Sequence, residues 1–274
     1  MKKKKIILNS LATLLLVAIC LFFAGCSSGC STTYKIACNH RTQNVTSDEI
    51  HIVSDTGFAT ERAIKSSVSV SVEFSWTVWP YSYTAQSSGA GVIWRMTASH
   101  VYIVTNYHVV LYSERPSAAR SIRINVYGHE ESALSIAATF VGANGNFDIA
   151  ILRANRSIFP DCVEAATRAD NLFIGERVIA IGNPLGMGIA VSTGIVSRPV
   201  DRLLIDRIGS TGQVTIDVIR TDVAINEGNS GGGLYNINGE LLGIVFAKAA
   251  DENINGFGFA IPLASVIAVA NQFI

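Results

Sequence analysis

From Ala63 onward, apolar and polar residues take turns in short runs. "SVSVSVEF", centred on residues 69 to 74, changes character at every step. That period of two sends successive side chains to opposite faces of a strand. "GAGVIWRM", "HVYIVTN", "SIRINVYG" and "LSIAATFVG" follow, then "FDIAILRA", "RVIAIGN", "IAVSTGIVS", "QVTIDVIRTD", "ELLGIVFA" and "GFGFAIP", all β-branched or aromatic runs parted by turn residues. No helical pattern of roughly 10 to 15 residues alternates with them, which argues against a parallel α/β sheet. Many short strands joined at Gly and Asn predict an all-β domain of antiparallel barrels or sandwiches. Only the tail, "LASVIAVANQFI", has the pattern of a closing helix.

The chain upstream reads differently. Residues 27 to 60 are rich in Ser, Thr and Asn with few apolar clusters, the composition of a tether or arm. Before it, Lys2 to Lys5 precede an apolar run from Ile6 to Phe23, and the small residues Ala24 and Gly25 lead to Cys26. This is export-signal architecture over residues 1 to 26. Its end resembles a bacterial lipobox, which would make Cys26 the lipidated N-terminus of a lipoprotein. The alternative is an uncleaved signal anchor, since the run is just long enough to span a bilayer. Either reading attaches the chain to a membrane and places the remainder in the cell envelope, outside the cytoplasm.

Composition narrows the partners. The 274 residues carry 21 basic and 21 acidic side chains, so no charge excess points to nucleic acid. Cys30, Cys38 and Cys162 lie beyond the signal, and a Cys30 to Cys38 bridge is one pairing an oxidising compartment allows. Cys38, His40 and His51 have no second ligand pair at zinc-site spacing, so no metal and no organic cofactor is expected.

The chemistry concentrates in three places. Ser230 sits in "GNSGGGL", and a serine hydroxyl needs a base to become a nucleophile and a third group to orient that base. His108 follows the apolar run "VYIVTN" where a buried strand ends. Asp148 opens the apolar run "IAIL", where a carboxylate is costly to bury without a partner such as an imidazole. A core histidine and a plain glycine turn are the bland alternatives for each taken singly. Together they give the order His, Asp, Ser, the chymotrypsin-like order rather than that of subtilisin or the α/β-hydrolases.

Six stretches then carry a family resemblance. "GAGVI" (89–93), "YIVTNYHVV" (102–110), "FDIAIL" (147–152), "IGNPLGMGIAVSTGIVS" (181–197), "RTDVAINEGNSGGGLYNINGELLGI" (220–244) and "GFGFAIP" (256–262) run in order along residues 61 to 274. They resemble the protease domain of the HtrA/Deg family in the trypsin-like superfamily. The resemblance implies two six-stranded antiparallel β-barrels of the chymotrypsin-like type and a short C-terminal helix. It implies a serine endopeptidase with His108 as general base, Asp148 as its orienting acid and Ser230 as nucleophile, and with the backbone N–H groups of Gly228 and Ser230 as the oxyanion hole. Ala224 would be the floor of the primary specificity pocket, favouring small or medium aliphatic residues. Val245, Phe246 and Ala247 would pair with and wall the substrate. The implied substrates are unfolded or damaged exported polypeptides, a protein quality-control role. A homotrimer is the implied assembly, with "FSWTVWPYSY" (74–83) as a candidate contact; loop or barrel-edge packing is the alternative. Two departures stand out. Asn229 replaces the Asp through which a zymogen switch would act, and no stretch after Pro262 is long enough for the PDZ domain such proteins commonly carry. Glu227 sets an acid beside the glycine loop, where most charges simply face solvent. A non-catalytic binder on the same fold is the competing class.

Overall fold

The computed structural model describes residues 55–127, 135–183, 188–246 and 256–274. Twelve strands form two closed antiparallel barrels of six strands each. The first contains β1 (Ser67–Val78), β2 (Tyr81–Met96), β3 (His100–Asn106), β4 (Ala119–Val126), β5 (Ile136–Asn144) and β6 (Ile149–Asn155), in the spatial order β1-β2-β3-β6-β5-β4. The second contains β7 (Arg177–Gly182), β8 (Ala190–Asp206), β9 (Gln213–Thr221), β10 (Gly233–Asn236), β11 (Leu241–Phe246) and β12 (Gly258–Pro262), in the order β10-β11-β12-β9-β8-β7.

The two kinds of apolar run found in the sequence correspond to two kinds of burial. In β1, Val68, Val70, Val72 and Phe74 fill the first barrel while Glu73 and Ser75 face solvent, so the strand alternates. All six residues of β11 are buried, as are the first four of β6. Those strands have a barrel interior on one side and a second apolar layer on the other, which is why their sequences do not alternate. In that layer Val92, Val104, Ile149 and Ile151 of the first barrel meet Ile179, Ile181, Ile244, Phe246 and Ile261 of the second.

Two helices close the layer. The predicted tail helix spans Leu263–Ala270 and buries Val266, Val269 and Ala270. Helix α1 (Asp55–Ile64) was not predicted; it covers the other end through Ala59, Ala63 and Ile64. Its ten residues carry only these three buried side chains, too thin a stripe to read as a helix beforehand. Directly after it, Ser66 and Ser67 hydrogen-bond the Tyr235 hydroxyl at 3.1 and 3.2 Å. Tyr235 is fully buried, and burial pushes its phenol up from the ordinary value. Among the described residues no helix is long and apolar enough to cross a membrane. Cys162 is disulfide-bonded; Cys26, Cys30 and Cys38 lie outside the described residues.

Candidate active site

Register brings the first two residues together. β3 and β6 pair antiparallel with Asn106 opposite Ile149, so the residues just beyond each strand end are neighbours. On one side the chain enters a single helical turn, α2 (Tyr107–Val110), which carries His108. On the other is Asp148, whose φ of 51° makes it the sole non-glycine in the left-handed region among the described residues. Aspartate tolerates that region better than most side chains.

Every acceptor of Asp148 is engaged. Its carbonyl accepts from the Tyr107 N–H at 3.1 Å and the Asn106 Nδ2 at 2.9 Å. Its Oδ1 accepts the His108 backbone N–H at 2.8 Å, and its Oδ2 lies 2.5 Å from His108 Nδ1. Asp148 has no solvent exposure and the His108 side chain is 20% exposed. A carboxylate only accepts, so Nδ1 carries the proton and the Nε2 lone pair is left for chemistry.

Ser230 belongs to the second barrel but is held by both. Its carbonyl accepts the Ala90 N–H of β2 at 2.9 Å, and the next residue, Gly231, donates to Val245 O of β11 at 3.0 Å. Gly231 has φ +84°, and a Cβ there would collide with Ala90 O and Thr105 Oγ1 and stand 3.0 Å from the Asn106 nitrogen. Only glycine allows the serine loop to lie this close to the strand that leads into His108. Gly89 completes the junction, wedged between Ser230 O and the Val109 side chain, each 2.9 Å from where a Cβ would sit. Among the described residues no hydrogen bond joins the Ser230 hydroxyl to His108; backbone contacts bring the two segments to one cleft.

The loop before Ser230 has a particular pattern of use. Gly228 has φ +92°, its carbonyl accepts the Asn183 N–H at 3.2 Å, and the Asn229 N–H donates to Asn226 O at 3.0 Å. The backbone N–H groups of Gly228 and Ser230 donate to no protein acceptor among the described residues. Both residues are buried, and two buried, unengaged donors are what an incoming oxyanion requires.

The remaining candidates scatter around this centre. Ala224 and Glu227 are exposed. Val245 is fully buried, its N–H given to Gly232 O at 2.8 Å and its carbonyl taken by Gly231, so it offers no backbone group to a substrate. Phe246 packs edge-on to the His108 ring with centroids 6.3 Å apart. Ala247 lies outside the described residues. Among the described residues no three His, Cys, Asp or Glu side chains gather into a metal site.

Several residues were not singled out in the sequence. Thr105 Oγ1 donates to Ala90 O at 2.7 Å, and Thr105 and Asn106 are both wholly buried. Two polar residues ending an apolar strand were the available signal, the one already used for Asp148. Ile225, next in sequence to Ala224, lies against Gly258, where a Cβ would overlap its side chain. The tip of the β8–β9 hairpin crosses to the first barrel: Ile208 N–H donates to Gly145 O at 3.1 Å, and Gly209 lies against Tyr107 and Leu111. This clasp grips the turn before Asp148 and the helical turn that carries His108.

Two closed barrels, a buried aspartate bonded to a histidine at the end of one, and a serine in a glycine loop of the other define a chymotrypsin-like peptidase scaffold. Residues 89–244, more than half the chain, match the trypsin-like peptidase domain model, and the chain belongs to that family. It is 37% identical over 193 residues to the serine protease Do-like HtrA of Bacillus subtilis, covering 70% of this chain and 40% of that protein. It is also 37% identical over 189 residues to the periplasmic serine endoprotease DegP of Escherichia coli, covering 68% of this chain and 35% of that one. The chain thus matches less than half the length of these relatives. Among solved structures, an HtrA-type protease with a decapeptide superposes with a TM-score of 0.61 at 27% identity, covering 80% of this chain and 66% of that one. The Rv3671c protease of M. tuberculosis, at 22% identity and a TM-score of 0.62 over 78% of this chain and 83% of that one, shares the fold.

Proposed function

We propose that the chain is an extracytoplasmic serine endopeptidase of the HtrA type. His108 Nε2 takes the Ser230 proton as Oγ attacks a peptide carbonyl, then returns it to the leaving amine. Asp148 holds the imidazole in the one tautomer that can do this and stabilises the imidazolium that forms. The developing oxyanion sits between the Gly228 and Ser230 N–H groups. The observation that carries the reading is the double hydrogen bond from His108 to a fully buried Asp148, beside a serine loop in which the Gly228 and Ser230 N–H groups have no acceptor among the described residues.

The pocket beside Ser230 takes small or medium aliphatic side chains, because Ala224 at its floor supplies no charge. Unfolded exported polypeptides are the substrates, their exposed segments being free to pair with a strand edge. The N-terminal segment, acylated at Cys26, holds the domain at the envelope surface, and Asn229 leaves it without a zymogen switch. A fluorophosphonate probe is the test: wild type is labelled and cleaves unfolded casein, and Ser230→Ala does neither. An unlabelled wild type that also leaves casein intact means a non-catalytic binder.

A further inference from the structure

The β1–β2 hairpin outgrows its barrel. β4 pairs with β1 only as far as Ser75, whereas β1 and β2 continue to pair with each other to Val78 opposite Tyr81. The blade beyond Ser75 therefore projects about 14 Å, four residues at roughly 3.4 Å each. Trp79 at its tip is 91% exposed, Tyr81 66%, and Val78 and Tyr83 44% each. At the base Trp76 stacks on Tyr83 and Tyr112, with centroids at 5.8 and 5.3 Å, which stiffens the blade and leaves Trp79 clear.

Chemistry and size select the occupant. Residues 74 to 88 contain no charged side chain, while Glu114 and Arg115 bring both signs to the base near Tyr112. Trp and Tyr combine an apolar ring with one polar atom, the pairing favoured where acyl chains meet headgroups. Beyond Ser75 each strand of the blade pairs only with the other, so its outer edges keep backbone groups that suit the hydrated headgroup boundary and not the hydrocarbon core. A second protein copy is a poorer fit. At about 150 to 250 Å² per aromatic ring the exposed tip offers roughly 500 Å², short of the ~800 Å² per partner of a stable protein interface.

We propose that the Trp76–Tyr83 hairpin tip is a membrane-interface anchor that inserts into the headgroup–acyl boundary of a zwitterionic bilayer, with Trp79 deepest. Its length suffices for the 5–10 Å depth typical of interfacial elements, roughly speaking. The proposal requires neither acylation of Cys26 nor peptidase activity. When the chain is also anchored at its N-terminus, a weak insertion suffices, because the second contact is intramolecular.

The full-length chain can be tested as it is, since Trp76, Trp79 and Trp94 are its only tryptophans and the first 54 residues have none. Quenching by phosphatidylcholine vesicles brominated on the acyl chain then reports the domain and not the N-terminal segment. Wild-type emission should be quenched relative to unbrominated vesicles. Trp79→Ser should lose most of that quenching, and Tyr81→Asp should reduce it with Trp79 still present. Unchanged thermal melts and fluorophosphonate labelling show that the variants remain folded. Equal emission with brominated and plain lipid, or equal quenching in Trp79→Ser, overturns the proposal. Trp79 shielded from aqueous iodide only as protein concentration rises, without lipid quenching, overturns it in favour of self-association.

Discussion

The two barrels supply opposite kinds of surface to the cleft. On the first, every acceptor of Asp148 is occupied, and the Asp148–His108 pair is tied by two hydrogen bonds. On the second, the backbone N–H groups of the buried Gly228 and Ser230 donate to no acceptor among the described residues. A group that must hold one orientation is saturated with partners. In the proposed mechanism the group that must receive a charge is left open, and the cost of its vacancy is recovered when the oxyanion arrives. In the proposed mechanism rigidity and vacancy are thus divided between the two halves of the fold.

Five substitutions test that division, in order of expected effect. Ser230→Ala or His108→Ala should each lower kcat on the order of 10⁶-fold, and the double variant little further, because the residues act as a unit; roughly additive losses in steady-state assays would break the pairing. Asp148→Asn keeps the shape but turns an NH₂ toward the ring, favouring the wrong tautomer, and should cost about 10⁴-fold in kcat. If kcat for a peptide substrate is retained, the saturated side is scaffolding alone. Gly228→Ala should cost about 10² to 10³ in kcat with KM little changed, since a side chain at φ +92° rotates one donor away from the oxyanion. A loss confined to KM would move that donor's role to substrate binding. Gly145→Val drives a side chain into Ile208 O and should cost about 1–3 kcal/mol by overpacking. It should lower the melting temperature by roughly 2–4 °C per kcal/mol and reduce kcat as the clasp loosens, measured by calorimetry beside the assay.

The sequence made the strands of both barrels legible wherever burial followed a simple rule. β1 alternates in sequence, with small serines buried at Ser67 and Ser69 and with Glu73 and Ser75 of that face exposed, and β3 matches its predicted run from His100 to Asn106. β10 escaped because its four residues open on the last of three consecutive glycines, in a stretch that looks like a turn, although all four are buried. The reach of the β1–β2 hairpin also escaped, since an aromatic run at residues 74–83 suits a blade, a loop or a contact equally well. His108 and Asp148 were readable because a titratable group at the end of a buried strand is conspicuous, and they do lie in contact. Thr105, Asn106 and Ile225 were not, since their roles depend on elements 15 to 42 residues away that only the fold brings near.

The clasp between the β8–β9 tip and the turn before Asp148 changes what kind of loop that tip is. Surface hairpins are ordinarily the safest places to insert a tag, a reporter or a foreign epitope. Here Ile208 is buried and bonded to the opposite barrel, and Gly209 underlies the ring of Tyr107. For protein engineering the site therefore extends to a loop in the other barrel, and a cargo placed at residues 207–212 would disturb the acid–base pair without touching it. Gly175 and Gly256 have open space around them and are the better places for a graft.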